Sequence, residues 1–121
     1  MTRPEKSIVP SEQYECERFA AWLTTNGYRF THIPNGMYTS SVKVVMANKR
    51  MGVSAGVPDY MILLKRGKLL FVEMKRLHGG AVSVEQTQWI EALRFAGHAA
   101  AVCCGFEVAK LCVTEWERAN G

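Results

Sequence analysis

Apolar and polar residues follow two different periods along the chain, and these periods predict its helices and strands. Apolar residues recur every three or four positions in some segments, and short continuous apolar runs lie between those segments. The predicted elements are a helix over 11–26, strands over 28–33, 59–64 and 68–75, a helix over 83–96, a strand over 98–104 and a helix over 106–119. Residues 34–57 have the weakest pattern, with a short helix around 40–51 as one interpretation.

The order of these elements predicts the fold class. A strand, helix, strand series over residues 68–104 implies a right-handed crossover, which places the last strand parallel to the strand over 68–75. The strands over 59–64 and 68–75 flank a turn and are typical of an antiparallel hairpin. We therefore expect an α/β fold in the order αβββαβα, with a mixed sheet flanked by helices. A chain of 121 residues with 48% hydrophobic residues is expected to form one domain over residues 1–121.

Composition narrows the function classes. The chain contains no run of about 18 apolar residues and no basic segment leading into an apolar stretch at its start, so a soluble cytoplasmic protein is expected. Its four cysteines form no CxxC pair, which favours buried free thiols over a zinc site or a disulfide framework. The net charge of +4 suits a polyanionic partner but does not by itself identify one.

The turn of the predicted hairpin determines which residues of its two strands face each other. A three-residue loop would place Gly67 at the position that needs a left-handed backbone. This loop pairs Leu64 with Lys68. The same register brings Asp59 opposite Glu73, so the hairpin predicts two neighbouring carboxylates at its open end.

Those carboxylates and a nearby lysine predict a phosphodiester-cleaving site. Because side chains alternate along a strand, Lys75 points to the same face as Glu73 and joins Asp59 there. Two adjacent carboxylates repel each other, and a bound Mg²⁺ or Mn²⁺ ion would remove that repulsion. Lys75 would add a positive charge close to the phosphate under attack. In the alternative interpretation, Asp59 only begins a strand, and Glu73 with Lys75 is an exposed ion pair on an edge strand.

Three sequence stretches resemble a known nuclease family. They are "GVPDYMILL", "FVEMKR" and "GGAVSVEQTQWIEALRFAGHAAAVCCG". Together they are similar to the virus-type replication-repair nuclease (VRR-NUC) domain of the PD-(D/E)XK superfamily, from about residue 12 to the end of the last predicted strand. The resemblance implies a restriction-endonuclease-like αβββαβ core and a DNA nuclease that depends on a divalent metal ion.

The resemblance also implies roles for individual residues. Asp59 and Glu73 would be metal ligands, the carbonyl of Met74 a further ligand, and Lys75 the catalytic lysine. Gln86 matches the glutamine of the family's SxxQ motif. The same glutamine forms an S-x-x-Q capping box, so a purely structural role and a functional role remain equal alternatives.

Two further parts of the family pattern match less directly. A glutamate on the first helix belongs to the site, and three residues compete for that position: Glu12, Glu15 and Glu17. We choose Glu15, because its distance from the helix end at Gly27 fits best. The sequence "HIPNG" at 32–36 is similar to the family's HxPN motif but has a glycine after the asparagine.

Three functions compete on this basis. The leading hypothesis is a DNA endonuclease of replication or repair that acts on branched, Holliday-junction-like DNA as a homodimer, since a symmetric double-strand cut needs two active sites. The alternatives are a catalytically inactive nucleic-acid-binding module and a small structural interaction protein. Trp89 and Trp116 have apolar neighbours at helical spacing and are expected in the core, not as platforms for stacking bases.

Overall fold

The computed structural model describes residues 9–34 and 41–119. Four strands form one sheet in the order β1-β2-β3-β4. The elements are α1 (Glu12–Thr25), β1 (Arg29–His32), α2 (Val42–Arg50), β2 (Tyr60–Leu63), β3 (Leu69–Lys75), α3 (Val84–Phe95), β4 (Ala99–Cys104) and α4 (Phe106–Ala119). None of the helices in these two ranges combines the length and the apolar composition that a membrane crossing requires.

The sheet is mixed, as the sequence predicted. Strands β1, β2 and β3 pair antiparallel, and β4 pairs parallel with β3 through the crossover helix α3. This arrangement confirms the αβββαβ core. The short helix interpreted around residues 40–51 is present as α2, so the full order of the described elements is αβαββαβα.

The helices begin where hydroxyl side chains satisfy free backbone amides. The Ser11 hydroxyl accepts the N–H of Tyr14 at 3.0 Å, and the Ser83 hydroxyl accepts the N–H of Gln86 at 3.1 Å. Each bond replaces an intrahelical partner that the first turn lacks, and such caps contribute about 1 kcal/mol. The predicted starts of α1 and α3 are therefore confirmed by their caps.

Strand β3 has different neighbours on its two faces. Leu70, Val72 and Met74 are fully buried in the hydrophobic core, which they share with Phe19 of α1 and Val113 of α4. The alternate residues of β3 point to the other face, which α3 approaches. This second face carries the polar groups of the candidate site.

The cysteines are all free, but they are not all buried. Cys103 is buried, Cys16 and Cys112 are half-buried, and Cys104 is exposed at the end of β4. The expectation of free thiols is confirmed, and the expectation of burial is wrong for Cys104. Side chains alternate between the faces of a strand, so the neighbours Cys103 and Cys104 cannot both point into one core.

Candidate active site

The hairpin between β2 and β3 has the predicted turn and register. The N–H of Leu64 donates to the carbonyl of Lys68 at 2.8 Å, and Gly67 has a φ of +90°. Tyr60 pairs with Val72. A left-handed glycine closes the three-residue loop without the strain that a side chain would introduce there.

This register brings Asp59 to Glu73. Asp59 comes directly before the first paired residue of β2, and Glu73 comes directly after that residue's partner on β3. Asp59 Oδ2 accepts the backbone N–H of Met74 at 2.8 Å, and its carbonyl oxygen accepts the N–H of Ile33 at 2.6 Å. These two bonds tie Asp59 to the strands on both of its sides.

Glu73 and Lys75 are buried charges on an interior strand. Only 2% of Glu73 and 9% of Lys75 are exposed, and β3 lies between β2 and β4. Lys75 Nζ lies 3.8 Å from Glu73 Oε2. The alternative of an exposed pair on an edge strand is therefore wrong. Burying two charges costs free energy that one ion pair at this distance offsets only in part, and such sites are often functional.

The surroundings of Glu73 disfavour its ionised form. Burial and, next to it, the nearby Asp59 carboxylate raise the pKa of Glu73 to about 8, although Lys75 acts in the opposite direction. Glu73 Oε1 is buried and has no hydrogen-bond partner among the described residues. A buried carboxylate oxygen without a donor is costly, so this oxygen needs either a proton or a cation.

Gln86 forms the helix cap that the sequence predicted and also contacts the candidate site. Its Oε1 accepts the N–H of Ser83 at 2.9 Å and completes a capping box at the start of α3. Its Nε2 donates to Glu73 Oε2 at 3.0 Å. One amide group therefore begins the helix and orients the buried carboxylate.

Glu12 and Glu15 of α1 have different surroundings, and the third candidate, Glu17, is exposed. Glu15, the residue chosen from sequence, is 4% exposed, and its Oε2 accepts the N–H of Phe106 at 2.7 Å at the start of α4. Partial burial and the charge of Asp59 raise the pKa of Glu12, while Lys75 and His32 lower it, which places Glu12 within electrostatic range of the cluster. Of these two glutamates, Glu12 lies within electrostatic range of Asp59 and Lys75, whereas Glu15 accepts a hydrogen bond at the start of α4.

The donor groups suit a hard divalent cation. In the described ranges, no group of three or more His, Cys, Asp and Glu side chains is placed to hold a metal. Mg²⁺ and Mn²⁺ need only one or two carboxylates, because water and carbonyl oxygens complete their coordination. Met74 directs its N–H toward Asp59, and the carbonyl of a strand residue points to the same side as its N–H. Asp59, the unpartnered Oε1 of Glu73 and the Met74 carbonyl therefore fit such an ion.

A glycine after β3 packs against Lys75. A Cβ atom at Gly80 would lie 3.1 Å from the Cβ of Lys75 and 3.2 Å from the nitrogen of Arg76. That spacing is tighter than most real Cβ contacts, so a larger residue would press on the lysine stem. The absence of a side chain at Gly80 thus leaves room for the Lys75 side chain.

The basic residues of the hairpin turn lie away from this cluster. Lys65 Nζ lies 4.7 Å from the Tyr28 ring centroid, and Lys68 Nζ lies 5.1 Å from that of Trp116. Both cations are at the closed end of the hairpin, whereas Asp59 and Glu73 are at its open end. The turn cations therefore stabilise aromatic contacts on the far side of the domain.

The structure describes only the first part of the HIPNG motif at 32–36. His32 is exposed at the end of β1, with its ring 5.0 Å from that of Tyr60 in an edge contact. The asparagine and glycine at positions 35 and 36 lie outside the described residues. His32 lowers the pKa of Glu12, so the described part of the motif borders the site.

One of the two tryptophans departs from its expected role. Trp116 packs against the hydrophobic core. Trp89 is half-buried outside that core, and its indole N–H donates to Ser54 and Ala55. The expectation for Trp89 is wrong because its apolar neighbours in sequence gave no signal of two polar acceptors far along the chain.

A comparison of the sequence with models of protein families agrees with the geometry of the site. The model of the VRR-NUC domain family matches residues 5–107. The chain belongs to the VRR-NUC family. The VRR-NUC domain is a nuclease-family domain, so the resemblance seen in the sequence is confirmed.

Solved structures share the fold of this VRR-NUC domain. One, described as a VRR_NUC domain protein, is 23% identical, with a TM-score of 0.75 over 90% of this chain and 89% of that chain. Another, described as a VRR_NUC domain, is also 23% identical, with a TM-score of 0.52 over 84% of this chain and 95% of that chain. No match was found among curated proteins. At this identity the two structures establish the fold alone.

Proposed function

We propose that this VRR-NUC domain is a divalent-metal-dependent DNA endonuclease. The observation that carries the proposal is the buried pair Glu73 and Lys75 beside Asp59, with a carboxylate oxygen that lacks a donor. A structural protein gains little from such a pair, since apolar residues of similar volume commonly serve stability as well or better. A site that holds a cation and a phosphate uses all three charges.

The residues of the chain divide the chemical work. Gln86 orients Glu73 by donating to its Oε2, and the Met74 amide orients Asp59. Lys75, held 3.8 Å from Glu73, presents a positive charge to the phosphate and to the attacking water. A Mg²⁺ or Mn²⁺ ion held by Asp59, Glu73 and the Met74 carbonyl would supply Lewis acidity for phosphodiester hydrolysis.

The charge distribution supports a polyanionic substrate. Between Ile33 and Pro58 the sequence contains no Asp or Glu, and its charged residues there are Lys43, Lys49 and Arg50. The same segment leads directly to Asp59, so its cations come before the acidic site along the chain. A basic approach to an acidic centre is typical of enzymes that attract a phosphate backbone to a cation.

The proposed function includes a preferred DNA structure and an assembly. We propose branched, junction-like DNA as the substrate and a homodimer as the active form, because paired cuts on two strands need two active sites related by symmetry. Mixed dimers of active and inactive subunits test the homodimer. Mixing wild-type protein with an excess of an inactive variant should convert paired cuts into single nicks.

A cleavage assay tests the function. Wild-type protein is incubated with junction, flap and linear duplex DNA in Mg²⁺, in Mn²⁺ and in a chelator, beside Asp59→Asn and Lys75→Ala. We expect metal-dependent cleavage by the wild type alone, and more of it on the junction than on the linear duplex. Metal-dependent binding without cleavage of any substrate would favour an inactive binding module, and neither binding nor cleavage would favour a structural protein.

A further inference from the structure

The segment that precedes Asp59 is held against helix α3 by a tryptophan. The indole N–H of Trp89 donates to the Ser54 hydroxyl at 3.3 Å and to the Ala55 carbonyl at 3.0 Å. Both acceptors belong to residues 53–58, which we call the approach loop; it leads from α2 toward β2 and ends directly before Asp59. The two bonds therefore attach the chain to α3 a few residues before the candidate metal ligand.

A glycine brings the same loop into backbone contact with the first turn of α3. Gly56 has a φ of +91°, and a Cβ atom there would lie 2.5 Å from the carbonyl carbon of Glu85 and 2.8 Å from the nitrogen of Gln86. No side chain fits into that space, and an L-residue would also be strained at this φ. The approach loop thus rests on the helical turn that carries Gln86.

The two contacts connect Asp59 to Gln86, because the approach loop leads to Asp59 and α3 carries Gln86. Gln86 reaches Glu73 from α3, and Asp59 reaches the neighbouring Met74 amide from the end of the approach loop. Between Gly56 and Asp59 the chain has only Val57 and Pro58, and Pro58 is fully buried with a backbone that its ring restrains. Little chain therefore separates Ala55 from Asp59, so a shift of the loop at Ala55 would also move Asp59.

We infer that Trp89 is a positioning residue of the active site, which holds the approach loop on α3 so that Asp59 and Gln86 reach Glu73 in a defined arrangement. The inference rests on the proposed nuclease function and extends it to a residue that acts through the loop. Gly56 is the second part of the same device, because it allows the close contact that the Trp89 bonds maintain.

The replacement Trp89→Phe tests this role with little change in packing. It keeps an aromatic ring and removes the N–H donor. We expect kcat to fall about tenfold and the KM for DNA to change less than about twofold, because misalignment of reacting groups affects the chemical step more than substrate binding. Gly56→Ala displaces the loop directly and should lower kcat by about 100-fold.

A matched control separates positioning from general stability. Trp22→Phe makes the same chemical change on α1, where the ring stacks on Phe19 and Tyr28, away from the approach loop. It should leave kcat unchanged at temperatures where both variants are folded. If Trp89→Phe is too unstable to assay, Ser54→Ala removes one of the two acceptors and should lower kcat about two- to threefold.

Two readouts do not depend on cleavage. In metal-free protein, amide hydrogen exchange of the approach loop should be faster in Trp89→Phe than in wild type and unchanged in Trp22→Phe. The Mn²⁺ concentration that gives half of the rise in melting temperature should increase in Trp89→Phe, because Asp59 is then less well placed to bind the ion.

These readouts distinguish the positioning role of Trp89 from the nuclease function. If Trp89→Phe has the same kcat, Mn²⁺ response and amide hydrogen exchange as wild type, the positioning role is overturned, even if the enzyme is an active nuclease. A wild-type protein that cuts no DNA would overturn the proposed function, whereas a weakened Mn²⁺ response in Trp89→Phe would still support the loop as the element that places Asp59. A wild type with no Mn²⁺ response and no cleavage would overturn both.

Discussion

Gln86 Nε2 donates to Glu73 Oε2 at 3.0 Å while Gln86 Oε1 accepts the Ser83 N–H at 2.9 Å. The capping box holds the amide by its oxygen and leaves its NH₂ group directed at the buried carboxylate. Because both ends of the amide are engaged, its orientation is determined by the hydrogen-bond network. Helix α3 thus begins at the point where the site needs a donor.

Removing this amide should affect stability and cleavage together. Gln86→Ala is expected to lower the free energy of unfolding by about 1 kcal/mol and to reduce cleavage at least tenfold, since it removes both the cap and the donor to Glu73. Ser83→Ala is the matched control, because it removes the hydroxyl cap and leaves Glu73 untouched. It should lose similar stability, measured by urea unfolding, and keep cleavage. Equal cleavage in the two variants would make Gln86 a helix cap only.

Lys75 should be needed for chemistry more than for binding. Lys75→Ala is expected to reduce cleavage at least about 100-fold, because a charge directed at the phosphate in the transition state is lost. DNA affinity, measured by fluorescence anisotropy, should fall only a few-fold, since one cation contributes a share of phosphate binding. Lys65→Ala removes an equal charge at the far end of the hairpin and should keep cleavage. If Lys75→Ala lost DNA affinity and cleavage by the same factor, Lys75 would only bind a phosphate and would have no role in the chemical step.

Two neutralised glutamates of α1 should have opposite effects. Glu15→Gln removes the charge that accepts the Phe106 N–H at the buried start of α4. It should lower the free energy of unfolding by about 1–2 kcal/mol and leave the cleavage rate of folded protein unchanged. Glu12→Gln removes a largely exposed charge beside Asp59 and Lys75, so it should leave stability nearly unchanged and slow cleavage. The reverse pattern would restore Glu15 as the residue of the site.

The raised pKa of Glu73 predicts how stability depends on pH in a chelator. Glu73 has a pKa of about 8 in the folded protein, above its ordinary value of 4.5. The folded state therefore holds this proton more tightly than the unfolded chain. The contribution of Glu73 protonation to the free energy of unfolding is complete below about pH 4.5 and is lost as the pH rises through about 8.

The variant Glu73→Gln isolates that contribution from other titrating groups. At pH 9 the metal-free variant should be more stable than wild type by on the order of 1–3 kcal/mol, and the difference should shrink toward pH 5. Thermal unfolding of both proteins across this range provides the measurement. A difference that does not change between pH 5 and pH 9 would mean that Glu73 titrates normally.

The hairpin could be predicted from sequence because local chemistry determines it. A glycine that adopts a φ of +90° closes a three-residue loop, and the loop length then sets every pair up to Asp59 and Glu73. The parallel partner of β3 followed in the same way from the crossover through α3. These features depend on neighbours in sequence and on general rules of handedness.

The choice among the α1 glutamates depends on contacts that sequence does not contain. Glu12 and Glu15 lie three residues apart, on nearly the same side of the helix, so periodicity does not separate them. What separates them is the position of the start of α4, which takes Glu15 as an acceptor. Trp89 shows the same limit, since its acceptors lie about 35 positions away along the chain.

Mn²⁺-dependent unfolding measures whether Asp59 and Glu73 form the proposed cation site. An ion that binds only the folded protein adds RT ln(1 + [L]/Kd) to stability, which is roughly 2.7 kcal/mol at about 100 times Kd. For a domain of this size that increment raises Tm by several degrees.

The variant Asp59→Asn completes the measurement. Asparagine keeps an oxygen that can accept the Met74 N–H and removes one of two repelling charges, so the metal-free variant should be at least as stable as wild type. It should show no Mn²⁺-dependent increase in Tm and no cleavage, whereas wild type should show both. A wild-type Tm that millimolar Mn²⁺ leaves unchanged, together with intact DNA substrates, would contradict the cation site and the nuclease function built on it.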